Sequence, residues 1–376
     1  MYQPGQQSFP PNRRPPGRLF SPKSMLLLAL GLILLLLVIV IGGDFLVSPS
    51  QARSLFLPTF VTSSPTALAT STPRSTAIPR PTATPTAPPF DPDANRILPD
   101  HRIVAFYAVP GAEPTGPAYQ LTPAMVQQLQ DQGKAYEDLD PAHPVQLGID
   151  LVVSVPDGDP GPSNTYSHHV DADTIQQYID VCQANNFLLF LDLNIGWAQP
   201  MDEVNFFLPY LEKYSFVHMA IDPEWMFPRH TGIPGTNLSN VSASDLNPII
   251  TALAELPMKY HVPRKILILH QYRGDGDELA DPTDASQAEY ADKRNLRFDP
   301  RVDTVMHIDS VGGFPGDHDI KKAQYEQWVK NDMLKYQNFQ YGGFKIFYHL
   351  ESKTSLMTPQ EVLALDPAPM VITYGN

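Results

Sequence analysis

The chain has 376 residues, with 26 Lys or Arg against 40 Asp or Glu, a formal net charge of −14, 40 Pro and a single Cys. One Cys excludes an intramolecular disulfide and any multi-cysteine zinc site, and Cys182, set among apolar and amide residues, reads as an inert core residue. Residues 1–92 hold seven basic residues (Arg13, Arg14, Arg18, Lys23, Arg53, Arg74, Arg80) against two acidic ones (Asp44, Asp91), so the remainder is near −19, which disfavours nucleic-acid binding.

Residues 1–24 are basic and read as a cytoplasmic tail. Residues 25–41 form an uncharged apolar run. As a helix it would span roughly 26 Å, close to the hydrocarbon thickness, and Gly42 and Gly43 extend it. The four basic residues upstream place the N-terminus inside a bacterial cell and the rest of the chain outside. A cleaved signal peptide is the alternative; the length of the run and the lack of a following A-x-A favour a retained anchor. Residues 44–92 are rich in Ser, Thr, Pro and Ala, without apolar periodicity. Such a segment is expected to be disordered and to act as a semi-rigid spacer reaching on the order of 100 Å.

From residue 93 onward, eight short apolar or aromatic runs read as strands: 102–109, 145–155, 187–195, 216–224, 265–272, 303–311, 343–351 and 369–374. Helical patterns lie between them at 122–131, 173–186, 202–214, 244–260 and 321–336, with a weaker one at 284–295. The run Thr358-Pro359-Gln360-Glu361 opens another as a capping box. Alternating strands and helices imply a parallel sheet, and eight repeats over residues 93–376 fit a (β/α)8 barrel in one domain. An open doubly wound α/β sheet is the alternative. No helix pattern follows the last strand, so another element is expected to cover it.

A barrel places its chemistry at the strand C-termini. There the sequence offers Tyr107, Asp192 and Asn194, Asp222 and Glu224, His270 and Gln271, Asp309, and Tyr348, His349 and Glu351. Within Asp222-Pro223-Glu224-Trp225, residues two apart on a strand would share a face, and paired carboxylates raise one another's proton affinity. A proton-bearing carboxyl suits general acid catalysis. The same tetrapeptide is also a helix start, with Asp as N-cap and Pro at the first position. Trp197 and Trp225 would flank the rim and offer faces to a sugar ring. His168-His169 and Asp317-His318-Asp319 are weaker metal-ligand candidates, His218 reads as a core histidine, and the glycine run 312–316 as a turn or a ligand approach. Nucleotide-binding loops and the G-x-S-x-G nucleophile motif are absent from the sequence, and no cofactor is expected.

The Asp222-x-Glu224 pair at the end of the fourth barrel strand resembles the D-x-E that closes the D-x-x-D-x-D-x-E motif of family 18 glycoside hydrolases, the chitinase-like barrels. Val217 and Ala220 occupy the two earlier Asp positions, and Leu193-Asn194-Ile195-Gly196 stands where that family has Ser-x-Gly-Gly. The resemblance implies Glu224 as the acid and Asp222 as the residue that orients the substrate. The D-x-E of family 25 lysozymes is similar to the same pair. Over residues 102–376 the chain is similar to exported bacterial proteins of no known activity, through the phrases at 222–225, 269–272 and 356–374.

The expectation is therefore a membrane-anchored, extracytoplasmic glycoside hydrolase-like protein acting on cell-wall or extracellular glycan. Asp309 or Asp192 would be the second carboxylate. Trp225, Trp197, Tyr107, Tyr348, His270, Gln271 and Asn194 would contact the substrate. A non-catalytic barrel binding glycan or protein is the alternative, and a metal-dependent hydrolase using His270, Asp309 and Asp222 a third.

Overall fold

The computed structural model describes residues 89–237, 239–271, 293–338 and 340–376. The expected membrane span, the spacer up to residue 88 and most of the weak helix at 284–295 lie outside them. Among the described residues no helix is long and apolar enough to cross a membrane.

Among the described residues nine strands form: β1 (Arg102–Ala108), β2 (Val145–Pro156), β3 (Ser167–His169), β4 (Leu188–Leu193), β5 (Val217–Ile221), β6 (Lys265–Gln271), β7 (Val302–Ile308), β8 (Tyr341–Phe347) and β9 (Val371–Gly375). Their order is β1-β9-β8-β7-β6-β5-β4-β2-β3, and β1 also pairs with β2. That last pairing closes eight parallel strands into a barrel and rules out the open sheet. The short β3 is antiparallel to the end of β2 and was not legible as a strand.

Helices lie outside the barrel, in the manner of a TIM barrel. They are α1 (Pro123–Glu137), α2 (Ala172–Asn185), α3 (Pro200–Lys213), α4 (Ala243–Tyr260), α5 (Asp317–Tyr325), α6 (Tyr348–Glu351) and α7 (Pro359–Leu363). Their starts follow capping chemistry. The Thr122 hydroxyl accepts from the Met125 N–H, the Asp171 carboxylate from the Thr174 N–H, and Ser242/Asp245 and Thr358/Glu361 form capping boxes. After α5 the chain widens into a π-helical stretch, Glu326–Met333, which buries Trp328 completely. Between β6 and β7 the described residues contain only the turn Lys293–Asn295.

The outer face of β9 is covered by α1 rather than by a helix of its own. The Tyr136 and Tyr374 hydroxyls lie 2.7 Å apart, the Gln132 amide donates to the Tyr374 oxygen at 2.9 Å, and Tyr348 stacks on Tyr374 at 4.9 Å. This packing joins the last strand to the first helix.

Strand parity divides the interior into levels. At the N-terminal end, Ile103, Leu188, Phe190, Ala220, Ile266, Ile268, Val305 and Val371 form an apolar plug with Leu98, which reaches in from the segment ahead of β1. That segment is fixed by Arg96, which pairs with the buried Asp303 at 2.6 Å, and by Arg264, which pairs with Asp93 at 2.7 Å. The core histidine His218 accepts from the Ile266 N–H and stacks against Phe190. Beyond this plug most inward positions carry polar or charged residues. The entire unit lies within Ala87–Asn376.

Lys265 sits at the base of β6, fully buried, with its ammonium donating to the carbonyls of Val217 at 2.8 Å and Tyr214 at 3.0 Å. Burial pulls its proton affinity down to about 7. The unfolded lysine titrates near 10.4, so between about pH 7 and pH 10 the unfolded chain binds more protons than the folded one. Stability contributed at this position therefore rises with pH across that window. In urea unfolding, the wild type should gain on Lys265→Met by on the order of 1 kcal/mol per pH unit between pH 7 and 9. Parallel pH curves for the two proteins would contradict this.

Candidate functional site at the C-terminal mouth of the barrel

The inward positions at the C-terminal ends of the strands bring together Tyr107 of β1, Asp150 of β2, Asp192 of β4, His270 of β6, His307 of β7 and Lys345 of β8. Asp222 and Asp309 join them from the residues just after β5 and β7. Each of these eight side chains is buried.

Asp309 is the hub. Its Oδ1 lies 2.6 Å from His307 Nδ1, and its Oδ2 accepts from His270 Nδ1 and from the Lys345 ammonium, each at 2.9 Å. Thr373 of β9 lies 3.2 Å from His307 Nε2. The Lys345 ammonium also sits 3.7 Å from the centre of the Tyr107 ring, a cation–π contact. His307 can pack here because its neighbour in β8 is Gly343: a Cβ at that position would lie 2.4 Å from the His307 ring.

The electrostatics follow from burial and from this sharing of charges. Burial pushes the Asp309 carboxyl up, but His270, Lys345 and His307 together hold it well below the usual carboxylate range. Burial opposes the His270 imidazolium, yet Asp309, Asp150 and Asp192 raise its proton affinity well above the ordinary value. The Lys345 ammonium is likewise opposed by burial and held by Asp309, Asp222 and Asp150, with a net rise. His307 goes the other way, because burial outweighs Asp309. A neutral His307 then donates from Nδ1 to Asp309 and accepts from the Thr373 hydroxyl at Nε2. Burial lifts Asp192 to about 8 against the pull of His270, with Asp150 and Asp222 adding to the rise. Asp222 is raised to about 6, by burial above all. Tyr107 is driven well above its usual value by burial and then by the carboxylates around it.

Of the two readings of Asp222-Pro223-Glu224-Trp225, the structure shows the helix start, with Asp222 at the N-cap and Pro223 first in the turn, and not a carboxylate pair on one strand. The strand ends at Ile221, and Pro223–Trp225 form a single 3-10 turn. Asp222 is buried with the interior charges, whereas Glu224 is half-buried on the turn. Proline after Asp222 explains the break, because it has no N–H to continue the ladder and presets the φ of a first helical turn. The two carboxylates are thus successive steps from the interior to the rim.

The aromatic residues are also placed differently from a ring of sugar platforms. Trp197 donates its indole N–H to the Gly232 carbonyl at 2.9 Å, stacks on His230 at 5.1 Å and tilts against Tyr166 at 4.8 Å. Trp225 packs on Gly235, where a Cβ would lie 2.7 Å from its ring. Both are half-buried and pin the loop that follows β5, itself tied to the end of β4 by the bridge between Gly196 and Met226. Tyr348 lies on the outer face, its hydroxyl donating to Gln132 of α1 at 2.8 Å and its ring against Phe106 and Tyr374. Gln271 is buried at the end of β6, its carbonyl accepting from the Asp309 N–H at 2.9 Å. Asn194 is buried just past β4, its N–H donating to the Ser154 carbonyl.

The weaker sequence candidates find other partners. His168 pairs with Asp157, His169 with Glu203 and His318 with Glu361, at three separate places. In the glycine run, the Gly313 N–H donates to Asp317 at 2.6 Å, which makes it a turn fastened to the start of α5.

The sequence reading missed Asp150, His307 and Lys345. Each is an ionisable residue at an inward position of a strand whose other residues are mostly apolar. That isolation is the signal that could have found them.

No protein-family model matches the chain, and no curated protein matches it significantly. The mouth has to be interpreted from its own chemistry.

Removal of the hub should be costly. Asp309→Asn leaves Lys345 buried beside a neutral group, and should destabilise the protein by about 3–5 kcal/mol. Adding Lys345→Met should recover part of that loss, since both changes delete the same pair. Urea unfolding of the two single variants and the double measures this coupling. Strict additivity would show that Asp309 and Lys345 do not act as a pair.

Proposed function

We propose that the chain is a membrane-anchored, extracytoplasmic hydrolase of the glycoside-hydrolase kind, acting on cell-wall or extracellular glycan at the C-terminal mouth of its barrel. The observation that carries this reading is the gathering of Asp192, Asp222, Asp309, His270 and Lys345 at adjoining strand ends, with Glu224 on the turn directly above Asp222 in the chain. A purely structural barrel has no need of four buried carboxylates at one end, since hydrophobic residues of like size are commonly as stable.

Glu224 is the residue of this set with partial access to solvent, and it is assigned as the general acid that protonates the leaving oxygen. Asp222 lies below it and orients the substrate or the acid. Asp192 is the second carboxylate. Asp309 is assigned a positioning role, because its oxygens already serve His270, His307 and Lys345. The glycan assignment rests on the D-x-E resemblance. The acidic character of residues 93–376 favours a polymer with few anionic groups. The anchor and spacer in residues 1–92 would hold the barrel away from the membrane, where such a polymer lies.

A digestion panel of chitin-type and other neutral oligosaccharides, with anionic peptidoglycan alongside, tests this. The wild type should cleave one of them, and Glu224→Gln should lose about 10²–10⁴-fold in rate with unchanged thermal unfolding. An unchanged rate in Glu224→Gln removes Glu224 from the mechanism. Saturable glycan binding without any turnover by the wild type would replace this reading with that of a binding barrel.

A further inference from the structure

Three side chains in the mouth present donor atoms to one another and to little else. Both carboxylate oxygens of Asp150, both of Asp192, and Nε2 of His270 have no hydrogen-bond partner. All three residues are 0% exposed. One ligand atom from each lies within 4.8 Å of the others, and His270 Nε2 faces Asp150 Oδ2 at 3.5 Å. Buried carboxylates ordinarily come with donors or a cation, because a desolvated anion without one is strongly unfavourable.

The cationic side chains nearby are bonded to Asp309, and His270 reaches Asp150 only at 3.5 Å. The Lys345 ammonium is bound to Asp309 and lies over Tyr107. The other ring nitrogen of His270 is held by Asp309.

We propose that Asp150, Asp192 and Nε2 of His270 form a binding site for a divalent cation of the Mn2+ or Zn2+ kind. The donor set decides the class: two carboxylates suit Mg2+, Ca2+ and Mn2+, and an imidazole shifts the preference toward Zn2+ and its neighbours. Asp309 stands behind the imidazole and fixes its orientation, so that Nδ1–H points to the carboxylate and Nε2 points to the gap, where a cation would replace the Nε2 proton. Metal-binding histidines generally have such a partner. Three protein ligands leave at least one position free. The Ser154 hydroxyl, later on β2, and the Asn194 amide nitrogen, just past β4, are also buried without partners. This donor set differs from the combination of His270, Asp309 and Asp222 suggested by the sequence, in which Asp309 would have to abandon three bonds. The proposal does not depend on the hydrolase reading.

Full-length protein stripped with a chelator should be titrated with Mn2+, Zn2+ and Co2+, with bound metal counted after desalting and thermal unfolding followed in parallel. One equivalent of Mn2+ or Zn2+ should bind, and the melting temperature should rise with the logarithm of metal concentration. Co2+ should produce visible absorption bands in the wild type. Asp192→Asn, Asp150→Asn and His270→Gln should each weaken binding by at least about 10²-fold and lose the Co2+ bands. Glu224→Gln should bind metal as the wild type does, whether or not it hydrolyses glycan. The proposal is overturned if the stripped wild type takes up no metal, or if Asp192→Asn and Asp150→Asn bind it as tightly as the wild type. Should the wild type take up none while both variants fold and melt higher, the cluster is a strained carboxylate pair.

Discussion

The Asp309 carboxylate fastens three adjacent strands at the level where the barrel interior turns from apolar to charged. One side chain accepts from His270 on β6, His307 on β7 and Lys345 on β8. Much of the mouth follows from that arrangement. Lys345 is kept over Tyr107, His270 is turned so that its second nitrogen faces Asp150 and Asp192, and His307 requires Gly343 beside it. A buried ion cluster of this kind is weak evidence for stability, because desolvation offsets most of the attraction.

The strands were legible because barrel strands are short, apolar and separated by helix-length segments. All eight parallel strands fall on runs visible in the sequence, and Thr358/Glu361 forms the capping box that its spacing implied. Two local features escaped. The strand β3 has three residues and pairs only with the end of β2, so no periodicity could reveal it. The π-helical stretch around the buried Trp328 uses residues that are ordinary in an α-helix. The cover over β9 was also hidden, since it is made by tyrosines at positions 136, 348 and 374, far apart in sequence.

The site was partly legible for a physical reason. Asp192, Asp222, His270 and Asp309 mark strand ends, where alternation turns polar, and the fold gathers them as a barrel must. Asp150 and Lys345 lie within strands, as single charges among apolar residues and away from the ends where alternation turns polar. The Asp-Pro-Glu motif is the helix start and not a carboxylate pair on one strand. Proline broke the strand, so Asp222 joined the interior and Glu224 the rim. The tryptophans fasten the loop after β5, and Tyr348 belongs to the outer layer. What remains at the mouth is dominated by carboxylates, and it makes specific demands on a ligand: a polar substrate, a cation, or both.

The central claim is that this mouth is where the protein acts. A crystal structure of the chain with a slowly cleaved neutral oligosaccharide tests it most directly. The account predicts a sugar at the C-terminal end of the barrel, with a glycosidic oxygen within about 3 Å of the Glu224 carboxyl. A sugar bound elsewhere on the surface, with Glu224 turned away from the barrel axis, would contradict it.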